Sequence, residues 1–319
     1  MKKIIILVMV LVLAFSFAAC GSRQADQSDL TKELSESSNE ETVVLPEDFV
    51  VPTIEQTELA NEKGIIITAK ELIYDPSEGW GLTVTMENHS ENDVYIQTDF
   101  LAVNHFQLIY DGKKDLYYID SGQEATETFS FGFNPVFRNT TFDFLHMTTI
   151  TDIEVSFYVL KYWQDPGSPY VHNEELFESD IAELHTSEYE NGLQTAAISG
   201  GVEVYNKNGI QIIAKCIQYD SEEYALDAMV FVNNQSDQYV YVRSEGVKVN
   251  QRSFMANMRC RADPGYTTMS LQRINKNDLR SDGILLEPRT FSSAFSVLDE
   301  FHGNVLDQIS FSDIPLEAE

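Results

Sequence analysis

The side chains able to do chemistry are spread along this chain without the spacing that chemistry needs. Six histidines stand at positions 89, 105, 146, 172, 185 and 302. No Gly-x-Ser-x-Gly elbow presents a nucleophilic serine, and no His-Glu-x-x-His pair stands one helical turn apart to grip zinc. Glycine-rich phosphate loops and serine-lysine signatures are absent too. No catalytic residue and no cofactor are expected, and the chain reads as a non-enzyme. His185 lies near Glu183 and Glu188, but histidine and glutamate on one polar stretch are usually solvated, so no metal ligand is assigned. Tyr74-Asp75-Pro76-Ser77-Glu78 and Tyr219-Asp220-Ser221-Glu222-Glu223 each offer two or three oxygen ligands. Calcium takes about six to eight, so these read as structural turns. Cys216 and Cys260 are either a disulfide or two free thiols; two cysteines do not make the dense framework of a small secreted domain.

Two stretches could bind rather than react. Tyr162-Trp163-Gln164-Asp165-Pro166-Gly167-Ser168-Pro169-Tyr170 is a turn-rich loop with aromatics at both ends, which makes Tyr162, Trp163 and Tyr170 candidates for ligand contact, although Trp163 could equally pack between domains. Residues 243–289 hold nine lysines and arginines against five acids, on a chain whose formal net charge is -30. Arg259, Arg261 and Arg273 within that basic stretch either dock on the acidic first half or meet an anionic polymer, and docking or plain dispersion is the expectation because the acidic neighbour is always present. The series Phe129, Phe131, Phe133, Phe137, Phe142 and Phe144 could line a groove but reads as sandwich core. Asn88-His89-Ser90 and Asn234-Gln235-Ser236 match a glycosylation acceptor and read as turns. So acidic a protein is not expected to bind nucleic acid, which needs clustered cations.

The amino terminus sets the setting in which these groups would work. Met1-Lys2-Lys3 precedes an unbroken apolar run from Ile4 to Phe15, then come Ala18-Ala19, Cys20 and Gly21-Ser22. A charged start, a short apolar core and a small-residue cleavage site make a secretory signal, since a spanning helix needs about 20 apolar residues. The order resembles a bacterial lipoprotein precursor, apart from Phe17, where such precursors usually have leucine. The resemblance implies cleavage before Cys20, a diacylglycerol on its thiol and a partner membrane reached through that lipid, on the extracytoplasmic face. Two acyl chains anchor stably where one anchors marginally. Gly21 to Glu62 carries eleven acids against Arg23 and Lys32, with few aromatics, and reads as a disordered tether reaching on the order of 40 Å. The expected organisation is thus a signal over 1–19 and a lipidated cysteine and tether over 20–62, before the folded part.

That folded part repeats. Gly64-Ile65-Ile66-Ile67-Thr68-Ala69-Lys70-Glu71-Leu72-Ile73-Tyr74-Asp75 aligns with Gly209-Ile210-Gln211-Ile212-Ile213-Ala214-Lys215-Cys216-Ile217-Gln218-Tyr219-Asp220, seven positions of twelve being identical. The Asn-x-Ser segments, Val94-Tyr95-Ile96 with Val240-Tyr241-Val242, and Val103-Asn104 with Val249-Asn250 follow at a constant offset of 146. So long a unit is a duplicated domain, not a solenoid repeat of 20 to 50 residues. Alternation in Leu82 to Met86, Thr128 to Phe133 and Ile153 to Val159 predicts strands, and the turn cluster from Glu87 to Asp93, between Leu82 to Met86 and Val94 to Ile96, predicts a hairpin. Asn173 to Leu184 could be a short helix or a loop plus strand. The fold class expected is all-β, two tandem Ig-like β-sandwich domains over 63–199 and 200–319. With its Gly-Ile strand, Tyr-Asp, Asn-x-Ser turn and Val-Asn strand in each copy, and the Val204-Tyr205-Asn206-Lys207-Asn208-Gly209-Ile210 stretch, the chain looks like the repeated Ig-like domains of uncharacterised lipoproteins of Gram-positive bacteria, a family that implies no activity. The functional expectation is a tethered binding or interaction module for an envelope or extracellular ligand; the alternative is an envelope hydrolase or an accessory factor for envelope enzymes.

Overall fold

Each copy begins with a hairpin that the sequence enforces at two residues. Lys63-Gly64 and Asn208-Gly209 turn with φ of 49° and 83°, and 54° and 78°, the left-handed pair of a two-residue hairpin whose twist suits antiparallel strands. Each glycine carbonyl accepts a hydrogen bond at 2.7 Å from the middle residue of an Asn-x-Ser turn, His89 N–H or Gln235 N–H. A Cβ on Gly209 would stand 3.0 Å from Ser236 N, so the glycine is required both by its φ and by this close approach.

The computed structural model describes residues 51–318 except 76–78, 109–115, 132–148, 165–170, 193–197, 199, 219–223, 255–257, 282–287 and 301–302. The expected signal, Cys20, most of the tether, Tyr170, Phe133, Phe137, Phe142, Phe144 and most of both acidic turns lie outside the described residues.

In the first copy, β1 (Thr57–Glu62), β2 (Ile65–Asp75), β3 (Gly79–Asn88) and β7 (Glu124–Ser130) form an antiparallel sheet in the order β1-β2-β3-β7. Facing it are β4 (Asp93–Val103), β5 (Phe106–Gln107), β6 (Tyr117–Ile119), β8 (Asp152–Gln164), β9 (Val171–Glu178) and β10 (Ala182–His185). Ile65, Ile67 and Ala69 on β2, Val84 and Met86 on β3, Val94 and Ile96 on β4, and Phe157 and Val159 on β8 are wholly buried, as period-two alternation requires. Phe129 and Phe131 are buried as well, and the Phe129 ring lies 5.6 Å from that of Phe157 on the facing sheet. Burying one such side chain stabilises by about 1.5–3 kcal/mol, so the core reading of these two phenylalanines is correct. The stretch from Asn173 to Leu184 forms strands, not a helix: β9 and β10 both pair with β8, which satisfies their backbone groups.

The second copy repeats this plan. Its β11 (Val202–Lys207), β12 (Ile210–Gln218), β13 (Tyr224–Asn234) and β17 (Thr267–Asn275) follow the order of β1, β2, β3 and β7, while β14 (Val240–Val249) carries β15 (Arg252–Phe254), β16 (Arg259–Ala262) and β18 (Thr290–Leu298), which pairs with β19 (Val305–Pro315). A short β20 (Glu317–Ala318) lies parallel to β12, and the single described α-helix, Lys276–Ser281, follows β17. Cys216 and Cys260 are both buried in this core and are not joined by a disulfide.

The copies do not hang as separate beads. Edge strand β5 of the first pairs in parallel with edge strand β17 of the second, Phe106 with Thr267 and Gln107 with Thr268. Two four-stranded stretches thereby become one sheet in the order β10-β8-β4-β5-β17-β13-β12-β11, and each copy covers an edge the other would expose. Among the described residues no helix is long and apolar enough to cross a membrane.

Candidate functional site at the joint and on the outer face

Strand β8 carries both candidate regions, because its two faces meet different surroundings. Ile153, Val155, Phe157 and Val159 point into the first copy's core, so Asp152, Glu154, Ser156, Tyr158, Leu160 and Tyr162 share the opposite face. The start of that face is covered by the second copy, and the end of it is open.

At the covered end, Asp152 is 1% and Glu154 9% exposed. Tyr266, on the turn Asp263-Pro264-Gly265-Tyr266 of the second copy, donates its hydroxyl to Glu154 Oε1 at 2.7 Å. Proline followed by a glycine of φ 87°, closed by the Tyr266 N–H to Asp263 carbonyl bond, is type II turn chemistry. Asn104-His105, with φ of 52° and 59°, makes the tight turn between β4 and β5 and brings His105 Nδ1 to 3.4 Å from Glu154 Oε2. One ligand-type atom from each of His105, Asp152 and Glu154 lies within 4.8 Å of the others. Asp152 Oδ1 accepts from the Thr151 hydroxyl at 3.1 Å, but Asp152 Oδ2 and Glu154 Oε2 are buried without a hydrogen-bond partner. On β10, His185 stands opposite Asp152 and Glu183 opposite Glu154. His185 Nε2 lies 2.8 Å from Glu183 Oε1 and its ring stacks at 3.5 Å on Tyr189, while Glu188 instead accepts from Asn191.

Burial raises the pKa of both carboxyls above the ordinary range. For Asp152 it is opposed by His105 and the Thr151 hydroxyl, and for Glu154 by the Tyr266 hydroxyl and His105. Tyr266 is pushed well above an ordinary phenol by burial and then by the carboxylate it donates to.

The duplication supplies an internal control. Val103 pairs with Ile153 in the first copy and Val249 with Phe291 in the second, so Gln251, Thr290 and Ser292 occupy the places of His105, Asp152 and Glu154. Only the first copy has ionisable groups there. Beside them the joint is polar and closed: Asp263 N–H donates to Gln107 Oε1 at 2.9 Å, the Gln107 amide donates to the Asp263 carboxylate, and the Thr268 hydroxyl donates to the Gln107 carbonyl at 3.0 Å.

Of the basic residues singled out from sequence, Arg261 is at this joint. Its guanidinium pairs with Asp263 at 2.6 Å and lies 5.1 Å over the Tyr239 ring. Burial works against its charge, but Asp263, with Tyr241 and Asp99 adding to it, keeps its pKa raised. Arg259, two residues earlier on β16, is exposed on the same face. Arg273 lies on β17 opposite Asp227. The structure groups Arg261 with Arg259 on one face of β16.

At the open end of β8, Tyr162 meets Tyr95 of β4 and Tyr118 of β6. The three rings stand 5.1 to 5.3 Å apart, two of the three pairs edge to face. Tyr118 is 42% exposed, and its hydroxyl lies 3.0 Å from Asp93 Oδ2 and from Asp120 Oδ1. Burial and these two carboxylates raise its pKa well above the usual phenol range. Trp163 projects from the other face of β8, 37% exposed, with Lys161 Nζ 5.7 Å from its ring centre. Tyr162 and Trp163 are neighbours in sequence but not in surface. Tyr95 and Tyr118 escaped the sequence reading because each looks like an ordinary strand tyrosine; the alternation of β4, with Val94 and Ile96 inward, would have placed Tyr95 outward. His105, Asp152, Glu154 and Tyr266 escaped because nothing local joins them.

No protein-family model matches the chain, and no curated protein matches it. Among solved structures it is similar to the YadV chaperone at 12% identity, covering 79% of this chain and 99% of that one with a TM-score of 0.22.

Proposed function

We propose that this protein is an extracytoplasmic lipoprotein, anchored by a lipid on Cys20, whose two sandwiches act as a non-enzymatic binding module for an envelope or extracellular ligand. The observation that carries the binding half of this reading is the Tyr95, Tyr118 and Tyr162 cluster. Three rings in mutual contact, two of the pairs edge to face, on an open sheet give a rigid apolar platform at little conformational cost, and the carboxylates of Asp93 and Asp120 border it with acceptors. A platform of that kind suits the apolar face and the hydroxyls of a sugar ring. Trp163 with Lys161, and Arg259 with Arg261, are further contacts on other faces. The continuous sheet supports the reading because it holds these surfaces at fixed spacing.

A screen of soluble envelope glycans by thermal shift on the full chain tests it. A ligand at 100 times its dissociation constant stabilises by about 2.7 kcal/mol. The shift is expected to disappear in Tyr118→Ala and Tyr162→Ala and to persist in Trp163→Ala. Turnover of an envelope substrate would make the protein an enzyme instead. For the anchor, Cys20→Ser is expected to release the protein from membranes with its folded part intact; retention after a high-salt wash would refute lipidation.

A further inference from the structure

We propose that His105, Asp152 and Glu154 bind a divalent cation of the zinc type at the joint between the two copies. Three features lead there. The donor set mixes one imidazole with two carboxylates, a combination suited to zinc or manganese and not to calcium or magnesium, which take oxygen alone. Asp152, 1% exposed, and Glu154 leave Oδ2 and Oε2 buried and unpartnered, and a buried carboxylate oxygen without a donor is costly. A cation between them would take a lone pair from each oxygen at once.

The geometry and the surroundings agree. Ligand atoms about 2.0–2.1 Å from a tetrahedral ion are separated by roughly 3.3 Å. The 3.4 Å between His105 Nδ1 and Glu154 Oε2 matches that separation and exceeds an ordinary charge-assisted hydrogen bond. Glu183 stands directly opposite Glu154 across the β8 and β10 pair, an unfavourable like-charge arrangement that a dication relieves. Tyr266 holds Glu154 through Oε1 and leaves Oε2 facing the histidine, the outer-shell support that ligating carboxylates commonly have. His105 is half-exposed, so the ion can enter from solvent, and water completes its coordination. The second copy, with Gln251, Thr290 and Ser292 at the same places, has no such set. All three ligands belong to the first copy, and the second contributes Tyr266, which holds Glu154 in place. This inference is independent of the aromatic platform.

Equilibrium dialysis of the full chain, after stripping with a chelator, against zinc, manganese, calcium and magnesium decides it. One zinc per chain is expected, with manganese weaker and calcium and magnesium unbound. Asp152→Asn and His105→Gln are each expected to weaken zinc binding at least tenfold. His105→Gln is on an exposed turn and copies the second domain's residue, so it reports on binding without threatening the fold. His89→Gln, which alters the surface pair of His89 with Glu87 at 3.0 Å, is the control and should leave binding unchanged. Absence of stoichiometric zinc binding, retention of it in His105→Gln, its loss in His89→Gln, or a preference for calcium would each overturn the proposal.

Discussion

Gln107 and Asp263, 156 residues apart, clasp each other through both ends of the glutamine amide: its carbonyl takes the Asp263 N–H at 2.9 Å and its amino group reaches the Asp263 carboxylate. Both residues are buried, and they lie at the β5 to β17 seam that joins one sheet of each copy into a continuous sheet.

Gln107→Ala should therefore lower stability by about 2–3 kcal/mol, because it leaves a buried N–H unpaired and a buried carboxylate with Arg261 as its remaining partner. Calorimetry should show one unfolding transition for the wild type and a lower, broadened or split one for the variant. An unchanged transition would mean that the seam does not couple the copies.

The Asn-x-Ser turns are structural and equally testable. Asn234 is fully buried; its amide donates to the Gln238 and Ala262 carbonyls at 2.8 and 2.9 Å while its carbonyl accepts from the Ser236 hydroxyl at 2.6 Å. Asn88 does the same with Asn92, Ile119 and Ser90. Replacing either asparagine with alanine should destabilise by about 2–3 kcal/mol, since it removes a buried amide's bonds and takes the side-chain donor from the buried Ile119 or Ala262 carbonyl, whereas Ser90→Ala or Ser236→Ala should cost about 1 kcal/mol. Urea titration distinguishes the two sizes.

Both cysteines of the folded part should resist thiol reagents. Burial pushes the Cys260 thiol up to about 12, and Cys216 is fully buried beside the same core. An exposed thiol gains reactivity as pH rises through its ordinary range of about 8.5; here labelling should stay negligible to pH 10 in buffer and become complete in denaturant. Fast labelling of the native protein would refute this packing.

Lys207 and Asp307 join β11 to β19 at 2.9 Å. The lysine's hydrogen bond holds the Asp307 carboxyl below its usual pKa, and the same bond holds Lys207 above its own. A depressed acid contributes stability above the unfolded carboxylate range and loses it as pH falls through the folded value; a raised base keeps its contribution until pH climbs through its folded value. The pair's small contribution should thus be present near neutrality, vanish at both extremes and fade with salt, because both groups are exposed. Carboxyl titration by NMR in Lys207→Met should raise the Asp307 pKa toward the ordinary range without fully reaching it, because the Gln308 N–H still donates to the carboxylate at 2.9 Å.

How much of this was legible beforehand depends on how local each feature is. The strands from Leu82 to Met86 and from Ile153 to Val159 could be read from period-two alternation alone, but the hairpin expected across Glu87 to Asp93 is not one: β3 pairs with β2 and β7 while β4 pairs with β8, so that turn carries the chain from one sheet to the facing one. The core placement of Phe129 and Phe131 followed from that same alternation. Asn173 to Leu184 stayed ambiguous because apolar spacing in a short stretch fits a helix or an edge strand, and only the unpaired backbone of β8 chose the strand.

What the sequence by itself determined is the repeated all-β unit, since alternation, turn residues and a constant offset are properties of neighbours along the chain. What only the tertiary structure decided is the union of the copies and the cluster at their seam. His105, Glu154 and Tyr266 come from a turn, a strand and a turn of the other copy, with 112 residues between Glu154 and Tyr266. Edge pairing of β5 with β17 is what brings Tyr266 against Glu154. Any exposed strand edge offers the same row of backbone donors and acceptors, so which edges meet is settled by the packing of whole sheets and leaves no periodic trace in the residues that it joins.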